Sequence, residues 1–239
     1  MIKNVSLSCP EHFLTPFVIA SKRTLMETNL SNIRREYTKN SSMQCNGYSD
    51  PFDQFKHWLE DAIQADEEEP TAMVIATVSA EGHPSTRTVL LKGVENGKFI
   101  FFTNYESRKG KQLSGNPFIS LTFVWHKLER QIHIEGVTEK CSKDTSDIYF
   151  ASRPYKSRIG ARISPQSQVI RSRIEIIRAF VNEAVRMIGQ EVPRPENWGG
   201  FAVIPTRFEF WQGRRNRLHD RVQYTLNGEN TWKKVKLAP

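Results

Sequence analysis

Between Phe210 and Arg221 the chain reads FWQGRRNRLHDR, and four arginines and one histidine fall within residues 214–221. Clustered guanidiniums repel one another, so a fold keeps them together where an anion, a carboxylate or an aromatic ring separates them. Phosphate is the anion that the planar arginine fork fits best, which raises the question of what carries it.

Three upstream stretches repeat the theme. In TNYESRKGK (103–111) a strand runs into a short helix with Ser107 as its N-cap. Free backbone N–H groups beside Arg108 and Lys109 would suit a phosphate; a solvated basic helix start is the plainer alternative. RTVLLK (87–92) sets two cations in an apolar strand, and their odd spacing puts them on opposite faces unless a bulge intervenes. Tyr149, Arg153 and Ser157 recur at i, i+4 and i+8, a phosphate clamp if the helix continues past Pro154, which bends it. The histidines lack HExxH spacing and there is no GxSxG elbow. Cys9, Cys45 and Cys141 lack CxxC spacing, so no metal site is expected and a reducing cytosol fits.

These signals must sit on one domain of generous size, or one domain with a tail, in 239 residues. A hydrophobic content of 38% with 10% aromatics supports a core, and a net charge of +8 favours nucleic acid, a membrane surface or phosphorylated small molecules. No apolar run approaches the roughly 20 residues that span a bilayer. Residues 1–30 lack periodicity and read as an N-terminal extension of unknown role. Pro16 interrupts its apolar patch at 13–20, and Met26 is an alternative start. The location implied is cytoplasmic, with a targeting segment as the alternative.

The positioning elements follow from period and turn chemistry. Asp50-Pro51 caps a helix over 51–65. Strands are expected at 71–79, 85–92, 98–103, 117–126 and 130–138, with turns at Glu81-Gly82 and Asn96-Gly97. Helices are expected at 143–152, 156–162 and 172–189, the last opened by a Ser172/Glu175 capping box. Strands at 201–204, 207–211, 218–226 and 231–236, with Asn227-Gly228 as the final hairpin turn, complete a mainly β antiparallel barrel with peripheral α-helices. A Rossmann sheet is excluded by the lack of βαβ alternation.

Taken in order, IRREYTK (33–39), RTVLLKG (87–93), FFTNYESRKGKQL (101–113), LERQIHIEG (128–136), YFASRP (149–154), IGARISPQSQVI (159–170), EVPRPENWGGF (191–201), EFWQGRRNRLHDR (209–221) and the final KLAP closely resemble the pyridoxine/pyridoxamine 5′-phosphate oxidase family. The resemblance spans 33–239 and implies one FMN-binding split-barrel domain over 31–239, acting as a homodimer with the flavin between subunits. It implies oxidation of pyridoxine or pyridoxamine 5′-phosphate to pyridoxal 5′-phosphate by O2. By motif position the FMN contacts fall on Arg87, Thr88, Val89, Leu90, Phe102, Thr103, Arg108, Lys109, Gln131, Gln166, Ser167, Trp211 and Arg221. Substrate contacts fall on Lys92, Tyr149, Arg153 and Ser157, on Arg217, Leu218 and His219, and on the covering segment Arg34, Arg35, Glu36 and Tyr37. Arg217 and His219 are the residues expected to act on the substrate. Tyr155, Lys156, Arg158, Arg162, Pro165, Arg214 and Arg215 depart from the family pattern, which bears on substrate preference. The competing readings are an NAD(P)H-using flavin split barrel and a basic barrel that binds nucleic acid.

Overall fold

The computed structural model describes residues 36–37 and 48–239. Helix α1 (Pro51–Gln64) starts where expected: the Asp50 carboxylate accepts from the Phe52 N–H and proline occupies the first turn. Its apolar stripe plugs the barrel. The Phe55 ring lies 4.8 Å from Phe99 and 5.2 Å from Phe123, and Trp58 sits 5.2 Å from Phe210. Burying such aromatics removes the largest apolar areas from water, so this plug dominates the core.

All strands join one antiparallel sheet in the order β2-β1-β5-β6-β7-β4-β3, extended through β8 and β9 beyond β7. These are β1 (Ala72–Val78), β2 (Pro84–Leu90), β3 (Gly93–Glu95), β4 (Lys98–Asn104), β5 (Phe118–Trp125), β6 (Arg130–Lys140), β7 (Trp198–Gln212), β8 (Asp220–Leu226) and β9 (Trp232–Leu237). β2 approaches β4 without a ladder between them, so the barrel is split there. Ile132 and Ile134 of β6 are fully buried while Gln131, His133 and Glu135 point away, as the period-2 reading requires.

Helix α2 (Arg108–Gly115) follows β4, and the Ser107 hydroxyl caps it by accepting from the Gly110 N–H. A second cluster of Phe150, Ile159, Met187, Val192 and Trp198 holds α3 (Lys143–Ser152), α4 (Tyr155–Ile163) and α5 (Arg173–Arg186) against the start of β7.

The structure corrects four details. β3 is a strand that its three residues were too short to announce. The strands expected at 201–204 and 207–211 are one continuous β7; Pro205 is accommodated at a bulge where the β6 register shifts between Glu135 and Gly136. The last hairpin turns on Asn230 (φ 56°), with Asn227 closing the loop onto Thr231, and Gly228 needs no left-handed conformation. Lys92 lies beyond the end of β2, which frees it from the strand alternation that set it opposite Arg87.

Candidate active site

Arg87 is half-buried on β2, where it organises a polar network. Its guanidinium donates to Ser85 Oγ at 2.7 Å and to the buried Thr77 hydroxyl, and Gln112 Oε1 accepts from Thr77 at 2.6 Å and Ser85 at 2.9 Å. Lys109, buried on the first turn of α2, donates to Thr103 Oγ1 and Gln166 Oε1, both at 3.1 Å. Burial, and then the nearby charge of Arg87, lower its pKa to about 8. Burial and the Arg108 charge likewise depress Arg87. None of Arg87, Arg108 and Lys109 is ion-paired among the described residues. Two cations on the first turn of α2 and Arg87 on the neighbouring β2, with no carboxylate paired to them among the described residues, form a site that an anionic group would stabilise. Gln166 closes it from the α4–α5 loop, next to Ser167 in a left-handed conformation (φ 70°).

Beside this basic corner lies a cavity of about 320 Å³ lined by Lys92, Glu95, Phe102, Tyr149 and Ser152. Tyr149 stacks on Phe102 at 3.9 Å, and Trp198 continues the stack 5.6 Å from Phe102. Arg153 lies over the Trp198 ring at 4.6 Å, and its Nη1 is buried without a hydrogen-bond partner among the described residues. A buried guanidinium N–H left unsatisfied is costly, so this group is poised for an acceptor. Tyr149, Arg153 and Ser157 do not share one helix face. Arg153 is extended (φ −74°, ψ 149°) and Pro154 starts α4, so the clamp expected on one helix is split between two. Ser157 is exposed on the first turn of α4 and does not line the cavity.

A different group forms at the far end of β7. Trp211 pairs with Gln131 of β6 on one side and with Arg221 of β8 on the other. Glu209 holds the Arg221 guanidinium at 2.7 and 2.8 Å, and the Ala238 carbonyl accepts from it at 3.0 Å. His219 lies 4.6 Å from Trp211, and the Tyr37 ring meets both edge-on at 5.5 and 5.4 Å. Gly213 makes this possible, since a Cβ there would come within 2.7 Å of Tyr37. Arg217 and Leu218 are exposed on the loop, with Asn216 and Arg217 both left-handed (φ 57° and 59°). Burial and the Arg217 charge push the His219 pKa below its ordinary value. Glu36 is exposed; Arg34 and Arg35 lie outside the described residues.

The expected residues thus gather in two groups. Thr103, which anchors Lys109, pairs with Gly199 at the start of β7, and Trp211 lies twelve residues further along that strand. At ~3.3 Å per residue the groups are roughly 40 Å apart along β7. Three residues that matter here escaped the sequence reading. Gln112 buttresses Arg87, Trp198 carries Arg153 and Glu209 fixes Arg221. All three lay in segments that stood out, and none had a chemical signature of its own.

Fold and site together define a split-barrel protein with a group of cations lacking ion pairs among the described residues and an aromatic-lined cavity. The chain belongs to the pyridoxamine 5′-phosphate oxidase family: the family pattern of that description matches residues 59–184, and a pyridoxine 5′-phosphate oxidase C-terminal dimerisation region matches 198–239. A pyridoxine/pyridoxamine 5′-phosphate oxidase of Bacteroides thetaiotaomicron is 63% identical over 211 residues, covering 88% of this chain and 99% of the relative. One of Porphyromonas gingivalis is 53% identical over 214 residues, covering 90% and 100%. Among solved structures, PhzG from Burkholderia lata in complex with tetrahydrophenazine-1-carboxylic acid superposes with a TM-score of 0.77 at 28% identity, covering 81% of this chain and 95% of that one. A pyridoxamine 5′-phosphate oxidase-related, FMN-binding protein of Nostoc punctiforme has the same fold, with a TM-score of 0.66 at 16% identity, covering 77% and 97%.

Proposed function

We infer that this chain oxidises pyridoxine 5′-phosphate and pyridoxamine 5′-phosphate to pyridoxal 5′-phosphate, using FMN and O2, as a homodimer in which each site is completed by the partner. The observation that carries the reading is the cation group Arg87, Arg108 and Lys109, without an ion pair among the described residues, together with an aromatic-walled cavity lined by Lys92 and Tyr149 and with Arg153 on the Trp198 ring of the same aromatic stack. Two phosphate positions side by side suit a phosphorylated cofactor next to a phosphorylated substrate.

FMN fits the first position by its donor set: guanidinium, ammonium and backbone N–H groups with no acid among them. When bound, FMN would supply a two-electron acceptor: the substrate would lose a hydride from carbon and a proton from its hydroxyl or amine, O2 would take up the two electrons and two protons as hydrogen peroxide, and the imine formed from the amine substrate would take up water and release ammonia. The chain's own residues bind and orient. Lys92, Tyr149 and Arg153 hold the substrate phosphate, with Ser157 reaching it from α4. Trp211, Gln131 and Arg221 border the flavin, and Arg217 packs on the substrate ring with His219 beside it. The separation of the two groups along β7 supports drawing the second from the partner subunit, and a dimerisation region matched over 198–239 supports the dimer itself.

The test is direct. The purified protein should carry a flavin spectrum and produce peroxide and pyridoxal phosphate from either substrate. No peroxide from either overturns the reading, and bleaching by NADPH in place of the vitamin phosphates would select the reductase alternative.

A further inference from the structure

We propose that Arg214 and Asp220 form a brace that fixes His219 as its Nε2–H tautomer, so that the imidazole meets the substrate as a hydrogen-bond donor and not as a proton acceptor. This rests on the substrate reading above and gives a role to an arginine that the family pattern leaves unexplained.

The Arg214 backbone N–H donates to His219 Nδ1 at 3.1 Å. A backbone N–H can only donate, so Nδ1 must present its lone pair, and the single proton of the neutral ring sits on Nε2. What keeps that N–H in place is the Arg214 side chain. Its Nε and Nη2 both reach Asp220 Oδ2, at 2.7 and 2.6 Å, and Asp220 is itself paired with Gln212 at the β7–β8 junction. The ion pair therefore closes the neck of the loop carrying Arg217, Leu218 and His219. Trp211 and Tyr37 pack on the ring and oppose a flip that would exchange its nitrogens.

The charged groups around the ring are Arg217 on the same loop, the Arg214–Asp220 pair and the Arg221–Glu209 pair on the adjacent strands. Burial and the Arg217 cation favour the neutral ring, consistent with Nδ1 acting as an acceptor. With Nδ1 occupied, only Nε2–H remains to face a ligand. Arg214 and Asp220 are positioning residues in this scheme, acting through His219.

Two measurements test it, both on the FMN-loaded protein. In the absence of substrate, ¹⁵N imidazole shifts of His219 should report the Nε2–H form, and Arg214→Ala or Asp220→Asn should mix the tautomers. The charge swap Arg214→Asp with Asp220→Arg should restore the single form. In turnover, His219→Gln places an amide N–H near the Nε2 position without any basicity. It should keep kcat/KM within about tenfold of the native enzyme, while His219→Ala, with equal FMN content, should lose far more. If Gln is as poor as Ala, both down by the roughly 100- to 10,000-fold typical of a lost general base, the donor role is wrong. An Nδ1–H signal, or tautomers unaffected by both brace variants, also overturns the proposal. The tautomer readout does not depend on turnover, so failure of the oxidase reading, a native enzyme making no pyridoxal phosphate, remains distinguishable.

Discussion

Lys109 is an ammonium held away from water with no carboxylate to offset it among the described residues, and its pKa of about 8 follows from that burial and from Arg87. Between that value and the ordinary 10.5 the unfolded chain binds more protons than the folded one. The ligand-free fold therefore gains stability as pH rises through this window, and below pH 8 it carries the full cost of the buried charge. Affinity for a phosphate has the opposite dependence, because only the charged amine attracts it. Titrating FMN between pH 6.5 and 9.5 should give a constant dissociation constant at the acid end and weakening binding above about pH 8. Lys109→Met should bind weakly throughout and lose the break; a break that persists would move its origin elsewhere. The division of labour among cations gives a second test. Arg217→Ala should lower turnover by at least tenfold while retaining flavin, and Arg108→Ala should lose flavin on dialysis while turning over when FMN is saturating. Normal turnover by Arg217→Ala removes its assigned role.

At the scale of elements, the α3–α4 junction sets what the proposed function takes as the substrate side of the site. A residue before proline is kept out of the helical region, so Pro154 holds Arg153 extended, and from there its guanidinium reaches Trp198. Pro154→Ala should let helix continue across 143–163, raise KM for the phosphorylated substrates several-fold and leave FMN affinity unchanged; circular dichroism and KM together check it. The β7 bulge opposite Glu135 and Gly136 is equally specific. A Cβ on Gly136 would meet the Ile204 carbonyl oxygen at 2.2 Å, so Gly136→Ala should cost about 1–3 kcal/mol through backbone displacement, read as a lower melting temperature. These elements also mark where sequence was a sufficient guide. Asp50-Pro51, Ser107 and Ser172 act locally, and each cap lies where its residue type demands. Asn96 and Gly97 are both left-handed, as the hairpin signal requires. Pro205 misled because a proline that normally ends a strand is tolerated at a bulge, a condition set by Gly136 on the neighbouring strand. The Gln112 network was invisible for a similar reason: it joins residues 77, 85, 87 and 112, and no local pattern encodes a contact that only the barrel creates.

At the scale of the whole molecule, the geometry of β7 makes the strongest demand. A single strand carries the Thr103–Lys109 group beside Gly199 and the Trp211–His219 group twelve residues further on, a contour of roughly 40 Å at ~3.3 Å per residue. In the proposed two-fold dimer, one subunit's first group would face its partner's second, making two equivalent composite sites. Complementation between two inactive variants tests the arrangement. Lys109→Ala disables the first group and Arg217→Ala the second. In a mixed dimer one composite site contains both substitutions and the other contains neither. If the two chains are co-refolded in equal amounts and assort randomly, half the dimers are mixed and each has one intact site of two, so activity should return to about a quarter of the native value. With both groups contributed by the same subunit, every site in the mixture would carry one defect and activity would stay at the level of the parent variants. Recovery near a quarter requires the shared site, and its absence under demonstrated subunit exchange would force the two ends of β7 to serve separate ligands.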